Sequence, residues 1–375
     1  MSDSATLNYA AQIIGSLGAG HRADHALRTF FETHRFLQPQ PRRAITQAVF
    51  AYFRWLSWLD AKASAQARLA QAMTIHERFA ADPKSVKPET LAVRAVPEWL
   101  AAEMELPPDY LRQIQRDAAL WIRARPGRAA ELAKSLFACS PTDRSPDALR
   151  FTGTQDLFKT EQFRTGEFEI QDLSSQLVSI AAAPQPGETW WDACAGEGGK
   201  TLHLADLMAN KGVIWSTDRH TGRLDTLKRR AARAKLFNYR TALWDGSAKL
   251  PTKTKFDGIL LDAPCSGVGT WQRNPHARWT TTPDDVRELA ATQLAMLNHI
   301  AGSLKPNGRL IYAVCTLTRS ETTVVADAFA AAHPELEPLP LPLAPKESAD
   351  PSRVLLWPHE VNANGMFIAG WRRKK

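Results

Sequence analysis

ETWWDACAGEGGKTLHLADLMANKGVIWSTD, residues 188–218, changes character three times. The apolar pair Trp190–Trp191 runs into Asp192 as a short extended segment, which reads as a strand. Gly196, Gly198 and Gly199 then crowd a turn, and GKTLHLADLMA continues as a helix. GVIWSTD returns to a strand and again ends on an aspartate, Asp218. Strand, glycine turn, helix and strand together make one βα unit. Apolar strands in such units predict a parallel sheet covered on both faces.

The alternation continues downstream. TGRLDTLKRRAARAKL reads as a helix, RTALWD and FDGILLDAP as strands, and a long helix runs from about Pro283 to Ser303. GRLIYAVC is a strand and SETTVVADAFAAAH a helix. RVLLWP and GMFIAGWRR form a closing hairpin after a proline-rich loop. The fold class is therefore α/β with an open, Rossmann-like sheet, over residues 171–375. Upstream, ALWIRARPGRAAELAKSLFAC reads as strand, turn and helix, and DALRFTG and TEQFRTGEFEIQD as short strands. Residues 91–170 are expected to form a small α+β module. In PRRAITQAVFAYFRWLSWLDA, Ile45, Val49, Phe53 and Leu56 share one helical face, with Pro41 at the first turn. Residues 1–90 are expected to form a helical bundle, with Phe50, Tyr52, Trp55 and Trp58 as packing residues rather than platforms for bases.

The 375 residues carry a net charge of +8, with 44% hydrophobic and 23% charged residues. Such a chain builds a real core, and its basic balance favours a polyanionic partner, nucleic acid before membrane. Four cysteines without a CxxC pair give neither zinc-finger spacing nor a disulfide framework. No leader pattern and no long apolar run is seen, so a cytoplasmic protein with reduced thiols is expected, bound to neither membrane nor metal.

Ligands of open α/β sheets sit beyond the carboxyl ends of the strands. In DACAGEGGKT, a phosphate-binding loop would need its first glycine at Cys194, and a dinucleotide fingerprint would need a wider glycine spacing. Asp218 follows the glycines by about 20 residues, the interval at which an acid meets a ribose. Asp192, Asp218, Asp245 and Asp262 end four successive strands. Two cysteines also end strands: Cys265 in LLDAPCSG and Cys315 in YAVCTLT. Neighbouring strands lie about 5 Å apart, so the two sulfurs can converge on one ligand.

These residues resemble the Nop/Sun-type RNA (cytosine-C5) methyltransferases, and within them the RsmB-like enzymes. The resemblance rests on DACAGEGGKT, LLDAPCSGVGTWQRNPHARW, VCTLTRSE and WPHEVNANGMFIAGWRRK, and covers the chain from about residue 120 onward. RRAITQAVFAYFRW resembles the NusB-like RNA-binding module of these enzymes, residues 91–170 their RRM-like segment, and EIQDLSSQLV the entry to their catalytic domain. Two departures stand out. Gly196-Glu197-Gly198 replaces a run that usually contains proline, and Thr316 replaces a frequent serine.

The resemblance implies a Rossmann-like class I methyltransferase that uses S-adenosylmethionine. It implies Cys315 as the nucleophile toward C6 of cytosine, Cys265 as the group assisting release, and Asp262 on the cytosine edge. Position alone would favour Cys265, the cysteine after proline, because DNA cytosine methyltransferases use that position; the resemblance decides for Cys315. The implied cofactor contacts are Cys194, Ala195, Gly196, Glu197, Gly198 and Lys200 toward the methionyl end, Asp218 toward the ribose and Asp245 toward the adenine, with Arg223 and Asp262 nearby. RNA, ribosomal RNA first, is the expected partner, and a monomer is expected. Arg223, Lys228, Arg229, Arg230, Arg233 and Lys235 read either as a phosphate path or, equally, as a solvated helix face; Arg273, Arg278 and the terminal RRKK are better placed for phosphate, and His276 and His359 are candidates by location alone. The alternatives are a transfer-RNA or DNA methyltransferase and a non-catalytic ribosome-assembly factor. A nicotinamide-dependent oxidoreductase is disfavoured by the glycine spacing.

Overall fold

The computed structural model describes residues 4–18 and 22–375. Residues 1–3 and 19–21 of the expected helical region lie outside the described residues. The chain divides into two compact units: one of residues 1–118 with 267–283, the other of 119–266 with 284–375.

The first unit is helical. Its long helices are Ser4–Gly15, Ala23–Thr33, Pro39–Arg54 and Ala65–Ala81. The third starts at Pro39, earlier than Pro41, because proline fits a first turn that has no intrahelical donor to lose. The fourth is capped by Ser64, whose hydroxyl accepts from the Ala67 N–H (3.2 Å). Ile45, Val49, Tyr52, Phe53, Trp55 and Phe79 are buried. Trp55 meets Phe79 edge-on at 5.2 Å between centroids.

Residues 267–283, which follow the Cys265 motif, pack in this unit. Trp271 is fully buried and contacts Trp99 edge-on. Arg278 is fully buried as well. It donates to the carbonyl of Ala95 (2.8 Å) and to that of Ile114 (3.0 Å), the C-caps of the short helices Pro88–Arg94 and Pro108–Gln113. Helix ends leave carbonyls unpaired and carry partial negative charge, which a guanidinium satisfies on both counts. Arg278 is thus a buried structural cap, and the exposed phosphate-facing position read from the sequence does not hold. His276 is 8% exposed with its ring edge-on to Phe53, so it packs in the helical unit instead of presenting its ring to solvent.

The second unit holds two sheets. In the smaller, strands β1 (Leu120–Ala124), β2 (Cys139–Pro141), β3 (Ala148–Phe151) and β4 (Phe168–Ile170) lie in the order β2-β3-β1-β4, all antiparallel. TEQFRTGEFEIQD supplies only β4. Its first half is the helical turn Glu161–Arg164, capped by Thr160.

The larger sheet contains β5 (Thr189–Asp192), β6 (Val213–Asp218), β7 (Tyr239–Leu243), β8 (Phe256–Asp262), β9 (Leu304–Val314), β10 (Leu336–Pro338), β11 (Arg353–Leu356) and β12 (Met366–Arg373). The order is β10-β12-β9-β8-β5-β6-β7, with β11 paired to β12. Pairing is parallel from β9 through β7 and antiparallel around β12. The closing hairpin forms as expected from sequence, and its second strand adds to β9 in the main sheet. The apolar runs in β8 and β9 are buried on both faces, as a covered parallel sheet requires. From β5 the chain builds β6 on one side and β8 on the other, which creates a switch point at their carboxyl ends.

Ion pairs join the two sheets. Arg123 and Arg125 both pair with Asp206 on the helix Gly199–Leu207. Buried Glu169 of β4 accepts from Arg230 (3.0 Å) and Arg233 (2.6 Å) on the helix Thr221–Arg233. Those two arginines are therefore committed inward. Lys228, Arg229 and Lys235 are exposed, as is Arg273 in the helical unit.

Candidate active site

A cavity of about 470 Å³ opens at the switch point. Its wall contains Cys194, Ala195, Gly196, Glu197, Asp218, Arg223, Asp245, Asp262 and Cys265, all singled out from the sequence. Arg223 comes from the helix Thr221–Arg233; the others arrive from strand ends: the first four after β5, Asp218 at the end of β6, Asp245 after β7, and Asp262 and Cys265 at and after β8. Arg219, Trp244, Thr292 and Met296 also line it and were not anticipated. Trp244 and Met296 are buried apolar side chains, indistinguishable in sequence from core.

The glycine turn is built by local geometry. Gly196 and Gly198 have φ of +56° and +86°, the left-handed region that favours glycine. A Cβ on Gly198 would lie 2.5 Å from Leu227 Cγ, whereas one on Gly196 would meet open space. Gly196 thus faces the cavity and Gly198 faces the core. The Gly196 N–H donates to Asp218 Oδ2 (3.1 Å), and the His220 N–H donates to Asp218 Oδ1 (2.8 Å). These bonds fix the Asp218 carboxylate and leave lone pairs for a hydroxyl-bearing ligand. Asp245 is exposed and its Oδ1 accepts from the Ser247 N–H (3.0 Å). This bonding with Ser247 holds its carboxyl below the ordinary range. Glu197 is exposed at the rim, and its main-chain carbonyl accepts from Arg230 (2.9 Å).

Lys200 does not line the cavity. It is buried, and its Nζ donates to Asp262 Oδ2 at 2.6 Å. Burial works against the ammonium, but Asp262 and then Asp192 outweigh it and raise the Lys200 pKa. Asp192 leaves the strand-end ladder altogether: it is fully buried and accepts from Thr201 Oγ1 (2.6 Å). Burial, reinforced by the charges of Asp262 and Asp218, pushes its carboxyl up to about 7. Burial, followed by the nearby carboxylates, pushes the Cys194 thiol well up, so that sulfur is not a ready nucleophile.

Cys265 and Cys315 converge. Their strands β8 and β9 are paired in parallel, with Asp262 opposite Ala313, and the two Sγ atoms lie 3.3 Å apart. Cys139 lies away from this site, in the small sheet. Among the described residues, no group of three or more His, Cys, Asp or Glu side chains could hold a metal ion, and no helix is long and apolar enough to cross a membrane.

A Rossmann-like sheet, a carboxylate fixed at the second strand end and a glycine turn open to the cavity are the features of the class of S-adenosylmethionine-dependent methyltransferases. Residues 179–372 match the family described as 16S rRNA methyltransferase RsmB/F. The chain is 40% identical to a probable ribosomal RNA small subunit methyltransferase B of Bacillus subtilis, over 57% of this chain and 50% of that protein. It is 33% identical to the protein so named in Synechocystis sp., over 73% of this chain and 64% of that protein. It also resembles a solved methyltransferase homolog protein from Pyrococcus horikoshii, with TM-score 0.62 and 28% identity, covering 71% of this chain and 90% of that one. The chain belongs to the RsmB/F family of methyltransferases, and its cofactor is S-adenosylmethionine. It spans about half to two thirds of the length of the curated relatives it matches.

Proposed function

We propose that this chain transfers a methyl group to C5 of a cytosine in RNA, with small-subunit ribosomal RNA as substrate, and that it works as a cytoplasmic monomer. The observation that carries the reading is the pair of sulfurs 3.3 Å apart at neighbouring strand ends, beside a cavity lined by residues expected to hold the cofactor. The relatives' names support ribosomal RNA.

Bound S-adenosylmethionine supplies an electrophilic methyl group. Asp218 would hold its ribose, Asp245 its adenine, and the turn from Cys194 to Gly198 its methionyl end. Lys200 contributes by orienting Asp262, to which it is bonded. C5 of cytosine is a weak nucleophile. The Cys315 thiolate adds to C6, and the ring electron pair becomes available at C5, which takes the methyl group. Asp262 hydrogen-bonds the cytosine edge as charge moves onto the ring. Cys265, as thiolate, takes the C5 proton, the C5–C6 double bond re-forms, the C6–S bond breaks and Cys315 departs as thiolate. The target base must be unstacked to reach the site, which favours a loop or an open strand of RNA. The exposed cations Lys228, Arg229, Lys235 and Arg273 remain as candidates for phosphate contact.

The test is incubation with S-adenosylmethionine and transcribed small-subunit ribosomal RNA, resolved on a denaturing gel. Cys265→Ala should accumulate a covalent RNA adduct, and Cys315→Ala should form none. The reverse pattern would make Cys265 the nucleophile. Absence of adduct and of methyl transfer in every variant, with RNA still bound, would point to an assembly factor.

A further inference from the structure

Close to Cys315 along the chain lies a fully buried carboxylate, that of Glu321. Its Oε1 accepts from the Ser266 N–H (2.8 Å) and from Gln293 Nε2 (2.9 Å). Its Oε2 accepts from Thr318 Oγ1 (2.8 Å) and from the Ser266 hydroxyl. Ser266 directly follows Cys265. Thr316, which directly follows Cys315, has its hydroxyl 3.0 Å from that of Ser266 and 3.3 Å from that of Thr318. Gln293 also donates to the carbonyl of Pro264 (2.9 Å), the residue before Cys265. The Tyr312 hydroxyl, on β9, donates to the main-chain carbonyl of Glu321 (2.7 Å).

We infer that Glu321 is a positioning residue that sets the separation of the Cys265 and Cys315 sulfurs by tying the loops after β8 and β9 to one carboxylate. A buried carboxylate is costly, and this one is stabilised by four neutral donors. An acceptor is obligatory at Oε1, because a main-chain N–H and an amide NH₂ both point at it. Oε2 faces only hydroxyls, which can turn and accept instead. Glutamine therefore fits, with its carbonyl toward Ser266 N and Gln293 and its NH₂ toward the hydroxyls. Aspartate is one methylene too short to span both loops.

The consequence for turnover rests on the proposed division of labour between the thiols, whereas the geometric claim does not. Two readouts separate them. Diamide takes two hydrogens from a thiol pair and leaves a disulfide, so the rate of Cys265–Cys315 disulfide formation in the full chain without RNA reports how well the sulfurs are placed. The lifetime of the RNA adduct reports release.

Glu321→Asp should slow disulfide formation at least tenfold and prolong the adduct. Glu321→Gln should stay within a few-fold of the unaltered chain. In both, S-adenosylmethionine affinity should change less than twofold. Ser266→Ala, which removes one donor and keeps the carboxylate, should fall between them and carries the test if Glu321→Asp does not fold. Disulfide formation at an unchanged rate in Glu321→Asp, or none in the unaltered chain, would overturn the inference. So would a parallel fall of Asp and Gln variants together with cofactor affinity. Slowed disulfide formation in a chain whose every variant fails to methylate RNA would sustain the positioning role and refute the proposed function instead.

Discussion

Asparagine in place of Asp192 separates two effects that the wild-type carboxyl combines. Asp192 ends β5 beneath the glycine turn, fully buried; Thr201 bonds to its Oδ2, and its Oδ1 has no hydrogen-bond partner among the described residues. Burial raises the carboxyl from an ordinary 3.8 to about 7. Between those values the folded chain keeps a proton that the unfolded chain has released. Stability therefore falls by about 1.4 kcal/mol per pH unit across that window and is flat above it. The accumulated loss above about pH 7 is on the order of 4 kcal/mol. Asparagine does not titrate and escapes this loss. It does place an NH₂ where Oδ1 now lies without a partner, at a pH-independent cost of about 1–3 kcal/mol. Asp192→Asn should thus be the less stable chain near pH 4 and the more stable above about pH 7. Guanidinium unfolding followed by tryptophan fluorescence, at steps between about pH 4.5 and about pH 9, measures the difference. Trp190 and Trp191 sit in the same strand as the substitution. A stability difference that stays constant across that range would refute the argument, because it would mean that Asp192 is ionised in the folded chain throughout.

Gly198→Ala forces a side chain into the left-handed region and against Leu227, so it should cost about 2–4 kcal/mol and weaken S-adenosylmethionine binding. Calorimetric titration with a parallel thermal melt checks both. Arg278→Met keeps the apolar stem and removes the guanidinium from two helix ends, with an expected loss of about 3 kcal/mol. Amide exchange should rise first in residues 88–94 and 108–113, and protection unchanged there would contradict the capping role.

Strands β5 to β9 were legible because each is a short apolar run followed by an aspartate or cysteine, whereas β10 lies in a stretch that reads as a proline-rich loop. The residues that the sequence did not reveal share one property: their partners are remote. Lys200 looks like a first-turn lysine until β8 brings Asp262 against it. Arg230 and Arg233 look like a phosphate track, but β4 delivers Glu169 to them. Arg278 follows the active-site loop in sequence, yet it packs among helices formed by residues before 118. Periodicity reports which face of an element is apolar. It carries no information about which distant carboxylate or carbonyl will meet a polar side chain, and in each of these cases that meeting decides the role.

The passage of residues 267–283 through the helical unit also orders events during synthesis. The helices up to Gln113 leave the ribosome early, but Trp271 and Arg278, which complete their packing, are translated only after β1 to β8 have been made. At about 5–20 residues per second, the interval from Ala118 to Pro283 is on the order of ten to thirty seconds. Until then the helices lack the tryptophan and the guanidinium that complete their packing. The unit that contains the helices up to Gln113 is therefore completed only by residues 267–283, which follow the Cys265 motif.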